Sequence, residues 1–595
     1  MLSATTTKRD AKSYLSRFRP TTTSSTIEDA SAWPINVALV KIRAVHTLDE
    51  TLVQGIAHTL SQLSRLGLSP VVVVDCEVEE NVDDHQAGLD WRKELVKQVD
   101  RVVVALQGET ASRASRLDYV LGVSPNEHRN NATIAPGEVR VQHPEALLAI
   151  LRKHHIPVIP PIAYTLATQK VEQVEADEVI LAITRHFMSY QPPKKAQPSK
   201  TAIPERSSHP QSTPIKLDRI VLLDPLGGLP SAQRRDSAHV FINLEQEYTD
   251  VRQELLGAHA VVPANAMESL QPQAGREKAF VELPSGYQTP RSSLPTNRNV
   301  KNLDLLQKAL ALLPPSASAM LTTPAEAATS IGLPESTSTD LGVITRRPKN
   351  PLIYNLLTDK ALVSSSLPAA RLDISVLAGA PLTRQPLGAT FVKRGMPVTM
   401  IPDPRHQVWE PPHPSRPPLR LDDPKIDLPR LINLIEDSFN RPLNIEHYMN
   451  RIRNNLAGII VAGEYEGGAI LTWELPPGVP DDGSEESRRR MVPYLDKFAV
   501  LKRSQGAGGV ADIVFSAMVR SCFPTGVSWR SRKDNPVNKW YFERSAGTYK
   551  IPETNWTTFW TTEGLYEDKQ KFRDYVDVSR AVQPSWADLN KKAAD

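Results

Sequence analysis

The chain has 595 residues, of which 40% are hydrophobic and 23% charged, and its net charge is +3. Single hydrophobic cores stop growing at roughly 250–300 residues, so this length excludes a one-domain protein. The small net charge gives no reason to expect nucleic acid as a partner. Two cysteines exclude a disulfide framework, and the 14 histidines show no spacing with acids or cysteines that predicts a metal site.

The amino end has its own composition. Met1–Ser25 carries five basic residues against one acid in a Ser/Thr-rich background. A basic, acid-poor segment without an apolar core is typical of an organellar transit peptide, and a disordered basic tail has the same composition. Elsewhere no apolar run approaches the roughly 18 residues that cross a bilayer, so no membrane is expected as a partner.

The next region alternates strand and helix patterns. Ile35–Ile42 and Pro70–Val74 are apolar strands on either side of a helical pattern, Leu48–Leu66. Arg101–Leu106 and His155–Ile159 are predicted as further short strands. Buried strands separated by helices are typical of a parallel-rich sheet covered by helices, an α/β fold.

Proline divides the rest of the chain. Residues 191–214, 263–298 and 314–340 are rich in proline and small polar residues and are predicted as insertions or linkers. Ala389–Ile401 is predicted as the last helix–strand pair of the first domain, and Pro402–Pro418 as the boundary. The predicted scheme is a transit segment at 1–30, a first domain at 31–402, a linker at 403–426 and a second domain at 427–595.

The second domain is predicted to be α+β. Asp427–Asn440 has helical spacing, and a strand hairpin, a third strand, a helix and a fourth strand follow it. These elements are predicted at Leu456–Tyr465, Gly468–Glu474, Tyr494–Leu501, Gly508–Cys522 and Val527–Arg530.

A glycine-rich turn lies between the third strand and the helix. It has the pattern Arg-x-x-Gly-x-Gly over Arg503–Gly508. A helix amino terminus offers unpaired N–H groups, and neighbouring glycines let a phosphate approach the backbone. The turn can therefore hold a pyrophosphate, although many such turns are only tight connections. No Gly-Lys-Ser/Thr follows, which excludes a Walker loop.

A second motif, SWRSRKDNPVNKWYF, covers Ser528–Phe542. Arg530 and Arg532 alternate on an extended segment, so their side chains point to one face and suit a substrate with two carboxylates. Asn535 could orient that substrate. Tyr541 has a phenol whose ordinary pKa of about 10 is close enough to that of a thiol to donate a proton to a thiolate. The alternative interpretation is an exposed basic strand beside core aromatic residues.

The runs KFAVLKRSQGAGG and WRSRKDNPVNKWYF closely resemble the acetyltransferase domain of the N-acetylglutamate synthases, in particular the fungal mitochondrial type. The turn between them resembles the coenzyme A pyrophosphate loop of the GCN5-related N-acetyltransferases. The resemblance implies an amino-acid-kinase-like regulatory domain followed by a GNAT-type acetyltransferase domain. It also implies transfer of acetyl from acetyl-CoA to L-glutamate, the first step of arginine biosynthesis, in the mitochondrial matrix.

The resemblance also implies site residues. Tyr541 matches the position proposed as general acid, and Arg530, Arg532 and Asn535 match positions that hold glutamate. Arg441 is the nearest match to a further basic substrate contact, although Ser438–Pro442 departs from the animal pattern. The acetyl-CoA positions follow the strand and the loop: Lys497, Phe498, Ala499, Val500, Arg503, Gln505, Gly506, Ala507, Gly508 and Gly509.

For the first domain, the resemblance implies L-arginine as feedback inhibitor, a homo-oligomer and a complex with acetylglutamate kinase. Amino-acid kinases place glycines directly after the first strand. Here the first strand ends Val40-Lys41-Ile42-Arg43 and no Gly-Gly pair follows, which argues against ATP use. Three alternatives remain: a bifunctional synthase and kinase, an acetyltransferase for another amine, and a non-catalytic arginine-sensing or kinase-binding subunit.

Overall fold

A computed structural model describes residues 35–76, 87–109, 113–123, 138–165, 168, 170–189, 215–231, 238–257, 295–329, 350–361, 388–413, 415, 418–505 and 509–587. The chain divides into two compact units. The first comprises Met1–Leu362 and Gln385–Arg394, and the second comprises Val363–Arg384 and Gly395–Asp595. The predicted transit segment and the insertion at 191–214 lie outside the described residues. In the described part of the chain, no helix is long and apolar enough to cross a membrane.

The first unit contains an eight-stranded sheet with the order β10-β12-β11-β9-β1-β2-β6-β3 and a four-stranded sheet with the order β5-β4-β7-β8. Its strands are β1 (Ile35–Arg43), β2 (Leu68–Asp75), β3 (Ala114–Arg116), β4 (Leu121–Val123), β5 (Val139–Val141), β6 (Ile156–Ile159), β7 (Ile162–Thr165), β8 (Val171–Gln173), β9 (Ile215–Leu223), β10 (Phe241–Asn243), β11 (Ser318–Thr322) and β12 (Thr390–Lys393). Its helices are α1 (Glu50–Arg65), α2 (Ala87–Gly108), α3 (Pro144–Arg152), α4 (Ala176–Ser189), α5 (Leu244–Gly257), α6 (Pro295–Leu312), α7 (Pro324–Ala328) and α8 (Pro351–Thr358).

The large sheet is buried on both faces. β1 pairs in parallel with β2 and β9, and alternate β1 residues contribute to two different cores. Val37 and Leu39 pack with α4 and α6, whereas Ala38 and Val40 pack with α1 and α2. This two-sided burial explains the continuous apolar strands and confirms the predicted parallel-rich α/β architecture.

Three predictions about the first unit are wrong. Arg101–Leu106 is part of α2 and not a strand, because Val99, Val102 and Leu106 form a helical stripe and Val104 is 67% exposed. The Pro-rich segment 314–340 contains β11, which lies between β9 and β12 and is buried at all five residues. Likewise, α6 begins at Pro295, inside the predicted insertion 263–298, because proline suits the first turn of a helix.

The predicted boundary between the domains also changes. Ala389–Ile401 contains no helix; it contains β12 and the strand β13 (Val398–Ile401), and β13 pairs with the second sheet. The predicted linker 403–426 contributes Trp409, Leu421 and Ile426 to the buried interior of the second unit. The high proline content indicates a segment without regular secondary structure. That segment is nevertheless packed, because proline removes a backbone hydrogen-bond donor but does not prevent the burial of side chains.

The second unit is a seven-stranded sheet with the order β13-β14-β15-β16-β17-β19-β18. Its remaining strands are β14 (Leu456–Ala462), β15 (Gly467–Glu474), β16 (Val492–Val500), β17 (Ser528–Arg532), β18 (Gly547–Lys550) and β19 (Trp556–Trp560). Its helices are α9 (Leu428–Phe439), α10 (Ile445–Ile452), α11 (Glu485–Arg490), α12 (Val510–Ala517), α13 (Asn538–Arg544) and α14 (Lys569–Ala581), and a π-helical turn, Met518–Cys522, continues α12. The predicted order of strands and helices is confirmed.

Helices cover both faces of this sheet. A Cβ added at Gly467 would meet Val510 of α12, and one added at Gly468 would approach Leu434 of α9. Because neighbouring residues of a strand point to opposite faces, α9 and α12 lie on opposite sides. We call the side covered by α9, α10 and α14 the α9 face, and the side covered by α12 and α13 the α12 face.

We expect Gly526→Ala to destabilise the second unit. Gly526 has φ 124°, and its added Cβ would lie 2.6 Å from Thr562 Cα, so both strain and a backbone clash oppose folding. The loss should be roughly 2–4 kcal/mol by chemical denaturation. Gly478→Ala is the matched control, since Gly478 has φ 84° with nothing within 4 Å of the added Cβ. Equal losses for the two variants would contradict the proposed clash.

Candidate active site between two diverging strands

The central feature of the second unit is a gap between two adjacent parallel strands. β16 and β17 pair only at Tyr494 and Ser528, whereas β16 pairs with β15 along its length. From Leu495 to Val500, β16 therefore has a partner strand on one edge only within the described residues. The gap opens toward the carboxyl ends of both strands. We call it the β16–β17 wedge. Buried N–H and C=O groups require partners, and the groups on this edge of β16 have no partner strand among the strands described, so a ligand can bind them.

Part of this edge is already occupied. The Val500 N–H donates to Ser438 Oγ at 3.1 Å, and the Gln505 side chain donates to the Val500 carbonyl at 3.1 Å. These two bonds close the far end of the wedge. Lys497, Phe498 and Ala499 form its open part.

A bulge in β16 sets the direction of its side chains. Leu495 pairs with Leu471 and Lys497 with Ile470, so Asp496 has no partner across the ladder. The extra residue reverses the alternation after it, which places Tyr494 and Lys497 on the same face although three positions separate them. Without the bulge, Lys497 would point to the α12 face.

Aromatic residues line the wedge on the α12 face. Phe498 stacks on Trp540 at 5.7 Å between ring centroids, and Phe515 of α12 meets both rings edge-on. Tyr541 lies on the short helix α13, 5.5 Å from the rings of Trp529 and Phe559. Burial among these rings, with a smaller effect of Tyr494, raises the pKa of the Tyr541 phenol above its usual range.

Cations line the opposite, α9 face. Arg530 donates to the Ser579 carbonyl at 2.9 Å, and its guanidinium stacks 4.1 Å from the centroid of the Trp556 ring. Arg441 and Lys497 lie 5.1 and 5.5 Å from the centroid of one indole, that of Trp586. Both are buried, at 6% and 9% exposure. The positive charge of these three residues makes this side of the wedge a candidate pocket for an anionic acceptor.

Arg532 and Asn535 have other contacts. Arg532 forms an ion pair with Asp534 at 3.1 Å, while Asn535 donates to Ser531 Oγ and accepts the Val537 N–H at 3.0 Å. Both residues therefore stabilise the turn after β17. Arg532 shares its strand face with Arg530, and an acceptor would have to displace Asp534 in order to reach it.

The predicted pyrophosphate turn is described only at its ends. Gly506, Ala507 and Gly508 lie outside the described residues. Arg503 is exposed on the 3₁₀ turn Lys502–Ser504, and Gly509, with φ 70°, is the N-cap of α12 without a side-chain cap. The first N–H groups of α12 therefore receive no hydrogen bond from an N-cap side chain. A phosphate site at a helix amino terminus needs such uncapped N–H groups.

The sequence interpretation missed several residues of the α9 face. Tyr448 and Arg451 of α10, Asp496 at the bulge and Trp586 near the carboxyl end surround Lys497. Helical spacing could have placed Tyr448 and Ile452 on one face of α10, since both are buried. No pattern in the sequence predicted the bulge in β16 or the packing of Trp586 near α9.

The first unit has a separate charged cluster at the carboxyl ends of its parallel strands. Lys41 forms ion pairs with Asp75 at 3.1 Å and Asp177 at 2.5 Å, and Arg43 pairs with Asp224 at 2.9 Å. This edge of an α/β sheet is where ligands usually bind. Here Arg43, the last residue of β1, pairs with Asp75 and Asp224.

Comparison with known proteins decides the family. A family model described as "NAT, N-acetyltransferase, of N-acetylglutamate synthase" matches residues 419–582. The mitochondrial amino-acid acetyltransferase of Aspergillus oryzae is 49% identical over 557 residues, which are 93% of this chain and 77% of that protein. The enzyme of the same name from Botryotinia fuckeliana is 47% identical over 580 residues, 93% of this chain and 78% of that one.

The chain belongs to the mitochondrial amino-acid acetyltransferases. It is therefore an acyltransferase, and the second unit contains its N-acetyltransferase domain. Among solved structures, the N-acetylglutamate synthase of Neisseria gonorrhoeae complexed with coenzyme A and N-acetylglutamate aligns over 93% of this chain and 97% of that one, with a TM-score of 0.43 and 12% identity.

An ion pair joins α13, the helix that carries Tyr541, to α12. Arg544 donates to Asp512 Oδ1 at 3.0 and 2.7 Å and lies 4.0 Å from the centroid of the Trp540 ring. We expect Arg544→Met to lower the free energy of unfolding by roughly 1–3 kcal/mol. The measurement is a double-mutant cycle with Asp512→Asn in chemical denaturation. A coupling energy near zero would show that this pair does not hold α13.

Proposed function

We propose that this amino-acid acetyltransferase transfers the acetyl group of acetyl-CoA to the amino group of L-glutamate, giving N-acetyl-L-glutamate and CoA. This reaction is the first step of arginine biosynthesis. The observation that carries the proposal is the β16–β17 wedge, which has buried cations on one face and a phenol among aromatic rings on the other. Such a gap lets the two substrates meet through the sheet.

The acetyl-CoA side of the wedge is the α12 face. The pantetheine arm adds to the open edge of β16 at Lys497, Phe498 and Ala499, as an extended ligand adds to a strand edge. Its pyrophosphate lies at the amino terminus of α12, between Arg503 and Gly509, and contacts the loop that includes Gly506–Gly508. The Val500 backbone has protein partners and is therefore less available than its neighbours.

The glutamate side is the α9 face. Arg530 and Arg441 bind the carboxylates, and Arg532 joins them when it exchanges Asp534 for the substrate. Asn535 supports Arg532 by holding the turn. This arrangement fixes the amino group beside the thioester, so much of the barrier is removed by orientation before the reaction begins.

The reaction is a direct attack of the amine on the thioester, in which the amide bond forms and the carbon–sulfur bond breaks. The ammonium group loses two protons: one passes to water, and the other balances the proton that the departing thiolate takes up. The one cysteine in the sequence of the second unit, Cys522, is 3% exposed and lies 3.6 Å from the Met400 sulfur. Burial raises the pKa of this thiol far above neutrality, so it holds no reactive thiolate. Open N–H groups of β16 stabilise the charge that develops on the acetyl oxygen.

Tyr541 assists the departure of the thiolate. Its raised pKa keeps the phenol neutral at all physiological pH values, so it can always donate. The same shift weakens it as an acid toward a thiolate of ordinary pKa about 8.5. Tyr541 therefore first donates a hydrogen bond to the departing sulfur. It transfers its proton once negative charge has accumulated on that sulfur.

The first unit is the regulatory part in this proposal. It binds L-arginine as feedback inhibitor and supports a homo-oligomer and a complex with acetylglutamate kinase in the mitochondrial matrix. Its own phosphoryl transfer is precluded, because Arg43 and its carboxylate partners occupy the strand edge at which ATP phosphates would bind. The catalytic domain begins at Gly395 and includes β13 and the segment to residue 426.

The deciding experiment measures thiol release from acetyl-CoA with L-glutamate, other amino acids and a lysine peptide, each with and without L-arginine. We expect release with glutamate only and its suppression by arginine. Release with another amine instead would discard glutamate as the acceptor. No release from folded protein would favour a non-catalytic sensor, and ATP-dependent phosphorylation of N-acetylglutamate would contradict the assignment of the first unit.

Tyr541→Phe tests the role of the phenol. We expect kcat to fall about 10–100-fold, the loss of one charge-assisted hydrogen bond, with both KM values within about twofold. Phe542→Leu on the same helix is the control, because Phe542 is 40% exposed and makes an edge-on contact with Phe559. An unchanged kcat for the phenylalanine variant would remove Tyr541 from the mechanism.

A further inference from the structure

The bulge in β16 carries a buried network of alternating charges. Asp496 accepts hydrogen bonds from Tyr448 at 2.8 Å and from the Lys497 ammonium at 3.0 Å, and its other oxygen pairs with Arg451. Arg451 also bonds Glu474 at 3.1 Å, and Thr472 donates to the same Glu474 oxygen at 2.7 Å. The network thus joins α10, β15 and β16 on the α9 face.

Arg451 forms ion pairs with both carboxylates of this network. Two acids, Asp496 and Glu474, face two cations, Arg451 and Lys497. Because Arg451 contacts both acids, only one oxygen of Asp496 is left for Lys497. A buried charge without a partner is costly, and loss of Arg451 would leave Lys497 as the one cation of this network beside two acids.

Lys497 has a position that matters to the reaction. It lies at the open part of the wedge, directly before Phe498, and its ammonium reaches the α9 face only because of the bulge. There it lies 4.9 Å from the Tyr448 ring centroid and shares the Trp586 indole with Arg441. A shift of this ammonium toward the acids would withdraw positive charge from the acceptor pocket.

We propose that Arg451 is a positioning residue of the acceptor pocket, acting through Asp496 on the side chain of Lys497. Arg451 holds one Asp496 oxygen and the Glu474 carboxylate, so that Lys497 contacts only one carboxylate oxygen of this network and stays directed to the pocket. Tyr448 supports the same geometry with one neutral hydrogen bond. This inference rests on the proposed site for glutamate on the α9 face.

The electrostatics of Lys497 agree with this geometry. Burial lowers the pKa of the Lys497 amine, Asp496 opposes the shift, and the neighbouring Arg451 lowers the pKa further. Burial also works against ionisation of Asp496, yet Arg451 and Lys497 hold the pKa of its carboxyl well below its usual range. The charged and titratable groups that face Lys497 are Asp496 and Tyr494 on β16, Tyr448 and Arg451 on α10, Glu474 on β15, Arg530 on β17 and Arg441 after α9.

The kinetic test uses Arg451→Gln. We expect the KM for glutamate to rise about tenfold, because one ordered charge contact is lost, while the KM for acetyl-CoA stays within about twofold. Arg451→Lys should recover part of the loss, since it restores one contact of two. Equal changes in both KM values, or no change in the KM for glutamate, would overturn the proposal.

A matched control separates positioning from general stability. Arg490 forms a comparable pair with Asp574, at 3.2 and 2.6 Å, in the same unit but away from the bulge. Arg490→Gln should lower the melting temperature without a selective change in the KM for glutamate. If Arg451→Gln does not fold, Tyr448→Phe keeps the ring and removes only the hydrogen bond to Asp496, and it should produce a smaller change in the same direction.

A second measurement does not depend on turnover. Brief treatment with an N-hydroxysuccinimide ester of acetate modifies neutral amines, and peptide mass spectrometry gives the modified fraction of Lys497 at each pH. In Arg451→Gln the midpoint should move to higher pH by roughly one unit, because a neighbouring cation is removed. An unchanged midpoint in folded protein would overturn the inference. A normal shift in an enzyme that does not acetylate glutamate would instead reject only the proposed substrate.

Discussion

The second unit depends on one missing interaction, the pairing between β16 and β17 beyond Tyr494 and Ser528. A sheet normally satisfies its backbone groups with the neighbouring strand, and here that pairing stops at the first residue of β17. The open edge of β16 supplies a place for an extended ligand inside the protein. It also gives the α9 face and the α12 face access to each other, which a continuous sheet would prevent.

The two faces then have different chemistry because different helices cover them. On the α12 face, aromatic rings surround Tyr541, and burial among them raises the pKa of its phenol. On the α9 face, Arg441 and Lys497 are buried, Arg530 is partly exposed, and all three lie against indole rings. The bulge at Asp496 connects these arrangements, since it places Lys497 on the cationic face and Phe498 among the aromatic rings.

The first unit has a charged cluster at the carboxyl ends of its parallel strands. Its strand edge still gathers Lys41, Asp75 and Asp224, the kinds of residue that bind phosphate and metal at such an edge. Arg43 adds a fixed cation that these carboxylates neutralise.

The sequence by itself determined the α/β and α+β architectures and the position of β16, because buried strands and amphipathic helices follow from local periodicity. It also identified the Ser528–Phe542 motif. Only the tertiary structure decided that Arg101–Leu106 is helical, that β11 lies inside a Pro-rich segment and that β13 belongs to the second sheet. Strand pairing and helix packing are non-local, so the bulge at Asp496 and the contact of Trp586 with Lys497 have no signature in the order of residues.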